Sequence, residues 1–155
     1  MTGTRSIHRT ALCSAAAGAL MLAGCGSSGG LSKAQLDSKV NAACSTYKKA
    51  AMAIPPPTAK SPAAFAAYLD KVKPLISTES NQITGLNAGG SVTTDFASYV
   101  ADAKHSIALF DDANAKAHAK DPGYLQALLA VTRYTRTTVD PLDTKLGFTA
   151  CLPTA

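Results

Sequence analysis

The chain has no tryptophan, a single glutamate at Glu79, and three histidines, of which His8 lies close to the start. Aromatic residues make up only 6% of it, while alanine recurs throughout. Strands favour aromatic and β-branched residues, and alanine is the best helix former, so this composition argues against a sheet protein and for closely packed helices. One glutamate and two remaining histidines leave hydrolytic chemistry without its usual tools. No Ser/His/Asp set, paired carboxylates, zinc-protease helix or phosphate-cradling glycine loop is found, so the expectation is a non-enzymatic protein with no cofactor and no metal. No apolar run reaches the roughly 20 residues that a membrane-spanning helix needs. The lysines are scattered rather than blocked, which excludes the electrostatic footprint of a nucleic-acid binder.

What is present begins with the leader. Arg5, His8 and Arg9 precede an apolar core from Ala11 to Leu22, followed by small residues. That is the order of a secretory signal, and the core is too short to cross a bilayer. The tetrad Leu22-Ala23-Gly24-Cys25 resembles the lipobox of bacterial lipoproteins. The resemblance implies removal of residues 1–24 and lipidation of Cys25, whose acyl chains would hold the protein on the extracytoplasmic face of the cell membrane. Gly26-Ser27-Ser28-Gly29-Gly30 has the composition of a flexible coil, so residues 25–31 are expected to be a lipidated tether and residues 32–155 a helical domain. Removing residues 1–24 leaves 131 residues, enough for one core. It also discards Arg5 and Arg9, leaving 13 basic against 10 acidic side chains and a net charge of +3.

With Cys13 in the leader and Cys25 assigned to lipid, Cys44 and Cys151 are the only pair left in a compartment where disulfides persist. They are expected to form one bridge.

Four helices are predicted. Ser32 and Gln35 form a capping-box pattern that opens the first, with Leu31 and Leu36 as a hydrophobic staple. Its apolar stripe is Leu36, Val40, Ala43, Tyr47, Ala50 and Ile54, and Pro55-Pro56-Pro57 ends it. Ser61 caps the second and Pro62 is its first residue, with Phe65, Leu69, Val72, Ile76, Glu79, Ile83 and Leu86 on one face and a kink or break at Pro74. The third starts between Ser91 and Thr94 and carries Phe96, Val100, Ala103, Ile107, Phe110, Asn114 and Ala117. Asp121-Pro122 opens the fourth, with Leu125, Leu128, Thr132, Thr135, Val139, Leu142 and Leu146 as its stripe, a restart at Asp140-Pro141 and a stop at Gly147. Phe148 and Cys151 then close the chain against helix one, and short connections give an all-α, antiparallel up-down-up-down four-helix bundle in which helix four lies beside helix one and the disulfide closes the two.

Polar residues interrupt these stripes at Glu79, Asn114, Thr132 and Thr135, and a layer built from them would hold a small polar ligand. Asp111, Asn114 and His118 share a face of helix three at metal-like spacing, but too few imidazole or thiolate groups accompany them for zinc and too few oxygens for calcium. His105 is expected to pair with Asp102 at the surface, and Tyr134 between Arg133 and Arg136 reads as solvated.

Taken whole, the chain resembles the small alanine-rich helical lipoproteins of actinobacteria, through the tetrad ending at Cys25, the glycine/serine tether, Cys44, and the closing Leu146-Gly147-Phe148-Thr149-Ala150-Cys151. The resemblance implies an envelope location. The leading expectation is a membrane-tethered accessory protein that binds an envelope protein partner through an exposed helical face. The alternative is a carrier that holds a small or lipid-like ligand between its helices. An apolar interior cavity of several hundred Å³ would favour the carrier, and a packed interior beneath an exposed apolar patch would favour the partner.

Overall fold

The computed structural model describes residues 29–153, so the leader and Cys25 lie outside the described residues. Five helices follow one another: α1 (Lys33–Met52), α2 (Pro62–Thr84), α3 (Thr93–His118), α4 (Tyr124–Tyr134) and α5 (Asp140–Leu146). A 3-10 turn at Gly90–Val92 leads into α3, and a π turn at Thr135–Val139 joins α4 to α5. The fold is all-α, closed by a disulfide between Cys44 and Cys151 whose Cα atoms lie 5.0 Å apart. Packing runs α1 on α2, α2 on α3 and α3 on α4, an order compatible with an up-down-up-down course.

The helix starts follow local chemistry. Ser32 Oγ accepts from the Gln35 N–H while Gln35 Oε1 accepts from the Ser32 N–H at 3.0 Å, completing the capping box. Ser61 caps α2 with Pro62 in its first turn, where a missing N–H leaves no bond unmade. Pro74 neither breaks nor divides α2, which runs unbroken to Thr84. At the head of α4, Asp121 acts differently from the expected cap. Its Oδ1 accepts from the Gly123 N–H at 2.7 Å, an Asx turn that places Pro122 ahead of the helix, which begins at Tyr124.

The predicted fourth helix is divided by its π turn. The Asp140 N–H donates to the Thr135 carbonyl, five residues back. Pro141 has no N–H, and its ring would clash with the carbonyl four residues earlier in a regular α-helix, so the turn ahead of it widens. The extra residue rotates everything upstream by one position. Tyr124 and Ala127 are therefore buried, whereas Leu125, expected inside, is 46% exposed.

Helix one meets the end of the chain at Phe148 and Cys151, as expected, but it does not lie along helix four. α1 and α4 scarcely touch; the residues beyond α5 form the seam instead. Asn41 grips that seam from both sides, its Nδ2 donating to the Gly147 carbonyl at 3.1 Å and its Oδ1 accepting from the Ala150 N–H at 2.8 Å. Lys33 donates to the Leu146 carbonyl at 2.9 Å and Lys48 to that of Leu152. Gly147 ends α5 at φ 85°, a left-handed conformation that glycine adopts without strain, and the Phe148 N–H then returns to the Asp143 carbonyl at 2.8 Å.

Gly29–Leu31, expected to belong to a free tether, are docked. The Leu31 N–H donates to the Asn87 carbonyl at 2.7 Å and the Leu31 carbonyl accepts from Gly89 at 2.9 Å, a single parallel bridge onto the α2–α3 loop. The approach is close enough that a Cβ on Gly30 would come within 2.7 Å of Ala88 backbone.

Two apolar clusters fill the bundle. One gathers Leu36, Val40, Cys44, Ile83, Phe96, Tyr99, Leu146 and Phe148 near the disulfide. The other gathers Ala66, Leu69, Val72, Phe110, Ala117 and Tyr124 toward the opposite end.

Candidate functional site

Between the two clusters lies a cavity of about 390 Å³. It is lined by residues of α1, α2, α3, α4, the π turn and α5, on the side of the bundle where α1 and α4 scarcely touch. Its surface is mostly hydrocarbon, from Val72, Ile76, Ile107, Phe110, Val131 and Val139, with the disulfide at one side. A cavity of about 150 Å³ is enough to hold benzene, so a larger organic molecule fits here.

Polar groups are few and concentrated. Glu79 comes from α2, Asp143 from α5 and Tyr99 from α3, with Lys48 of α1 at the edge. Asp143 is 2% exposed, and its Oδ1 is buried without a hydrogen-bond partner. No ion pair among the described residues includes Asp143 or Glu79. Burial pushes the Asp143 carboxyl up to about 7; a hydrogen bond from Tyr99 opposes the rise, Asp140 adds to it and Lys48 opposes it. Burial likewise pushes Glu79 up to about 7, with the charge of Asp143 adding to the effect and Lys48 again opposing it. The Tyr99 phenol is pushed upward, first by burial and then by Asp143 and Glu79. Tyr47, also on the wall, moves the same way through burial and then Glu79 and Tyr68. Two carboxyls poised near neutrality inside an apolar chamber are suited to gripping a donor or a positive charge.

The four residues expected to form a polar layer divide. Glu79 and Thr135 line the cavity, and Thr135 Oγ1 lies 3.3 Å from Ser106 Oγ on the same wall. Thr132 is exposed, one position away from the inward-facing Val131, and donates to the Leu128 carbonyl at 3.2 Å. Asn114 is buried near the opposite end, where its Nδ2 donates to Asp70 Oδ1 at 3.2 Å. His118 Nε2 meets the same oxygen at 2.9 Å, while Asp111 pairs with Lys73 at 2.8 Å, so two of the three residues at metal-like spacing converge on Asp70 and the third turns to Lys73. Among the described residues no group of three or more His, Cys, Asp or Glu side chains gathers as metal ligands do. Asp102, expected to pair with His105, instead accepts from the Tyr134 hydroxyl at 2.7 Å, and His105 packs on the Tyr134 ring.

Sequence reasoning missed Asp143 and Tyr99. Tyr99 had a signal: Phe96, Tyr99, Ala103, Ser106 and Phe110 are as regular a helical stripe as the one through Val100. Asp143 had one as well, standing four residues after Val139 and three before Leu146, both on the expected stripe of the fourth helix.

No family model matches this chain, and neither a curated protein nor a solved structure matches it.

Proposed function

We propose that the protein is a membrane-tethered extracytoplasmic carrier that holds a small, largely apolar ligand between its helices and performs no catalysis on it. The observation that carries this reading is the cavity of about 390 Å³, within the range of small-molecule sites and walled mainly by hydrocarbon with a few convergent polar groups. Both histidines of the helical domain support binding over chemistry, since His105 packs on Tyr134 and His118 on Asp70, away from the chamber. The anchor rests on the tetrad ending at Cys25. Replacing Cys25 with serine releases the protein from the membrane fraction in this reading, and continued membrane association of that variant counts against the anchor.

Native mass spectrometry of the protein, extracted from its own membrane in mild detergent, tests the carrier. A discrete small molecule retained beyond the mass of the lipidated chain supports the reading. A chain that stays empty after extraction, and after incubation with a total small-molecule extract of its cells, contradicts it. The partner-docking reading retains one observation in its favour: Leu125 and Leu129, 46% and 57% exposed, lie one turn apart on α4. Loss of a co-purifying protein from a Leu125→Lys, Leu129→Lys variant would favour that reading.

A further inference from the structure

The chamber's hydrocarbon wall explains why a ligand would enter; its charged groups narrow down what that ligand is. Apolar surface from α2, α3, α4 and the π turn accepts any hydrophobic body of suitable size. Asp143 Oδ1 is more selective. It belongs to a residue 2% exposed at the cavity wall; the Tyr99 hydroxyl bonds the same carboxyl, and Oδ1 itself has no partner. Leaving a buried acceptor unpaired is costly, and a bound molecule that brings its own N–H removes the cost.

The charges around it have one dominant sign. From α5 come Asp143 and Asp140, and from α2 Glu79, against the single cation Lys48 of α1. Lys48 is already engaged, donating to the Leu152 carbonyl in the closing tail. Tyr47 of α1, Tyr68 of α2 and Tyr99 of α3 complete the titratable groups facing the chamber, and burial raises the Tyr47 and Tyr99 phenols, which keeps those two uncharged. An anionic ligand would meet a net negative field at short range, and an uncharged one would leave it unbalanced.

Resting on the carrier reading, we propose that the ligand is a small organic amine: an ammonium group donating to Asp143 Oδ1 and balanced by Glu79, on an apolar body lying among Ile76, Ile107, Phe110 and Val131. The volume suits a compact molecule, not a diacyl lipid. Binding of the cation stabilises the ionised carboxylates, so complex formation releases protons near neutral pH and weakens as acid protonates the pair. The ligand's own ammonium stays charged throughout that range.

The test uses three probes with one body: cyclohexylethylamine, cyclohexylethanol and cyclohexylpropanoate. Each is titrated calorimetrically into the full-length lipidated chain in nanodiscs of zwitterionic lipid, with empty nanodiscs as the blank. At pH 8 the amine should bind about tenfold or more tighter than the alcohol, as a charge-assisted hydrogen bond implies, and the carboxylate weakest. At pH 5.5 the amine's advantage should shrink while the alcohol's affinity holds. Asp143→Asn should abolish the amine's preference over the alcohol. Should that variant fail to fold, Glu79→Gln and the pH series on the unaltered protein decide the same point. An alcohol that binds as tightly as the amine at pH 8 overturns the amine assignment and leaves the carrier reading standing. Failure of all three probes to bind overturns both.

Discussion

The two ends of the bundle are held by different means, and the chamber lies where they join. At the disulfide end, α1 is tied to the end of the chain by the Cys44–Cys151 bridge, by Asn41 on two backbone groups and by Lys33 and Lys48 on two carbonyls. Phe148 is fully buried there, edge-on to Tyr99 at 5.1 Å and to Phe96 at 6.3 Å. At the opposite end, Phe65 and Tyr124 pack at 5.4 Å over Leu69 and Ala117, and the polar links, Asp70 with His118 and Lys73 with Asp111, lie in solvent. One end is fixed covalently and through the backbone; the other depends on side-chain packing. A cavity between a rigid seam and a softer end can keep its shape on one side and give on the other, as a carrier requires to admit and release its load.

The contrast can be broken most directly at the bridge. Replacing both Cys44 and Cys151 with alanine should lower unfolding free energy by about 4 kcal/mol, since the bridge spans 107 positions and a loop of roughly 100 residues carries about 4.7 kcal/mol of chain entropy. Denaturant unfolding followed by circular dichroism reads this loss, and a change below about 1 kcal/mol would mean that the backbone ties alone secure the seam. Next in size, Phe148→Ala should cost about 3–4 kcal/mol, because its ring is enclosed on every side. Phe110→Ala should cost nearer 2 kcal/mol, because that ring already faces the open chamber and loses fewer contacts. Equal losses at the two sites would remove the distinction between the ends.

The chamber itself should be visible in the pH dependence of the empty protein. Glu79 and Asp143 titrate at about 7 when folded, whereas unfolded carboxyls titrate near 4. Between those values the folded chain binds more protons, so stability is highest in mild acid and declines as pH rises toward 7, by several kcal/mol in all. Thermal melts from pH 5 to pH 8 should show the decline, and Glu79→Gln with Asp143→Asn should flatten it. Asp70 has the opposite sign. The hydrogen bond from His118, then that from Asn114, holds its carboxyl below the usual range, so its contribution is present at neutral pH and lost as acid protonates it. Both side chains are about half exposed, so His118→Ala should leave the melting temperature unchanged within error.

These contrasts also mark what the sequence could reveal. The helical class, both serine caps and the stripes of α1 and α2 follow from signals within a few residues of each other, and local signals survive into the fold; the bridge, between residues 107 positions apart, follows from counting cysteines. The face of α4 does not, because one extra residue in the π turn at Thr135–Val139 shifts its register. Thr132 therefore replaces Val131 in a stripe drawn with a constant period. Half of the expected polar layer failed for that reason and because Asn114 found Asp70 closer than the chamber. The pairing of Glu79 with Asp143 depends on two segments 64 positions apart meeting across a gap between helices, which no local periodicity encodes. The α2–α3 loop captures Leu31 through two backbone bonds and Gly29 through Asn87 Nδ2, contacts across the chain that no local pattern announces.

Filling the chamber tests the central claim most directly. Ala103 lies on the wall, and Ala103→Phe places a ring where the ligand is held to lie. Native mass spectrometry of this variant beside the unaltered protein, both extracted from membranes in the same detergent, should show the small molecule retained by one and missing from the other, with a melting temperature unchanged or raised in the filled form. An equal load in both, or a filled variant that melts lower, as in a core with no room to spare, would contradict the account.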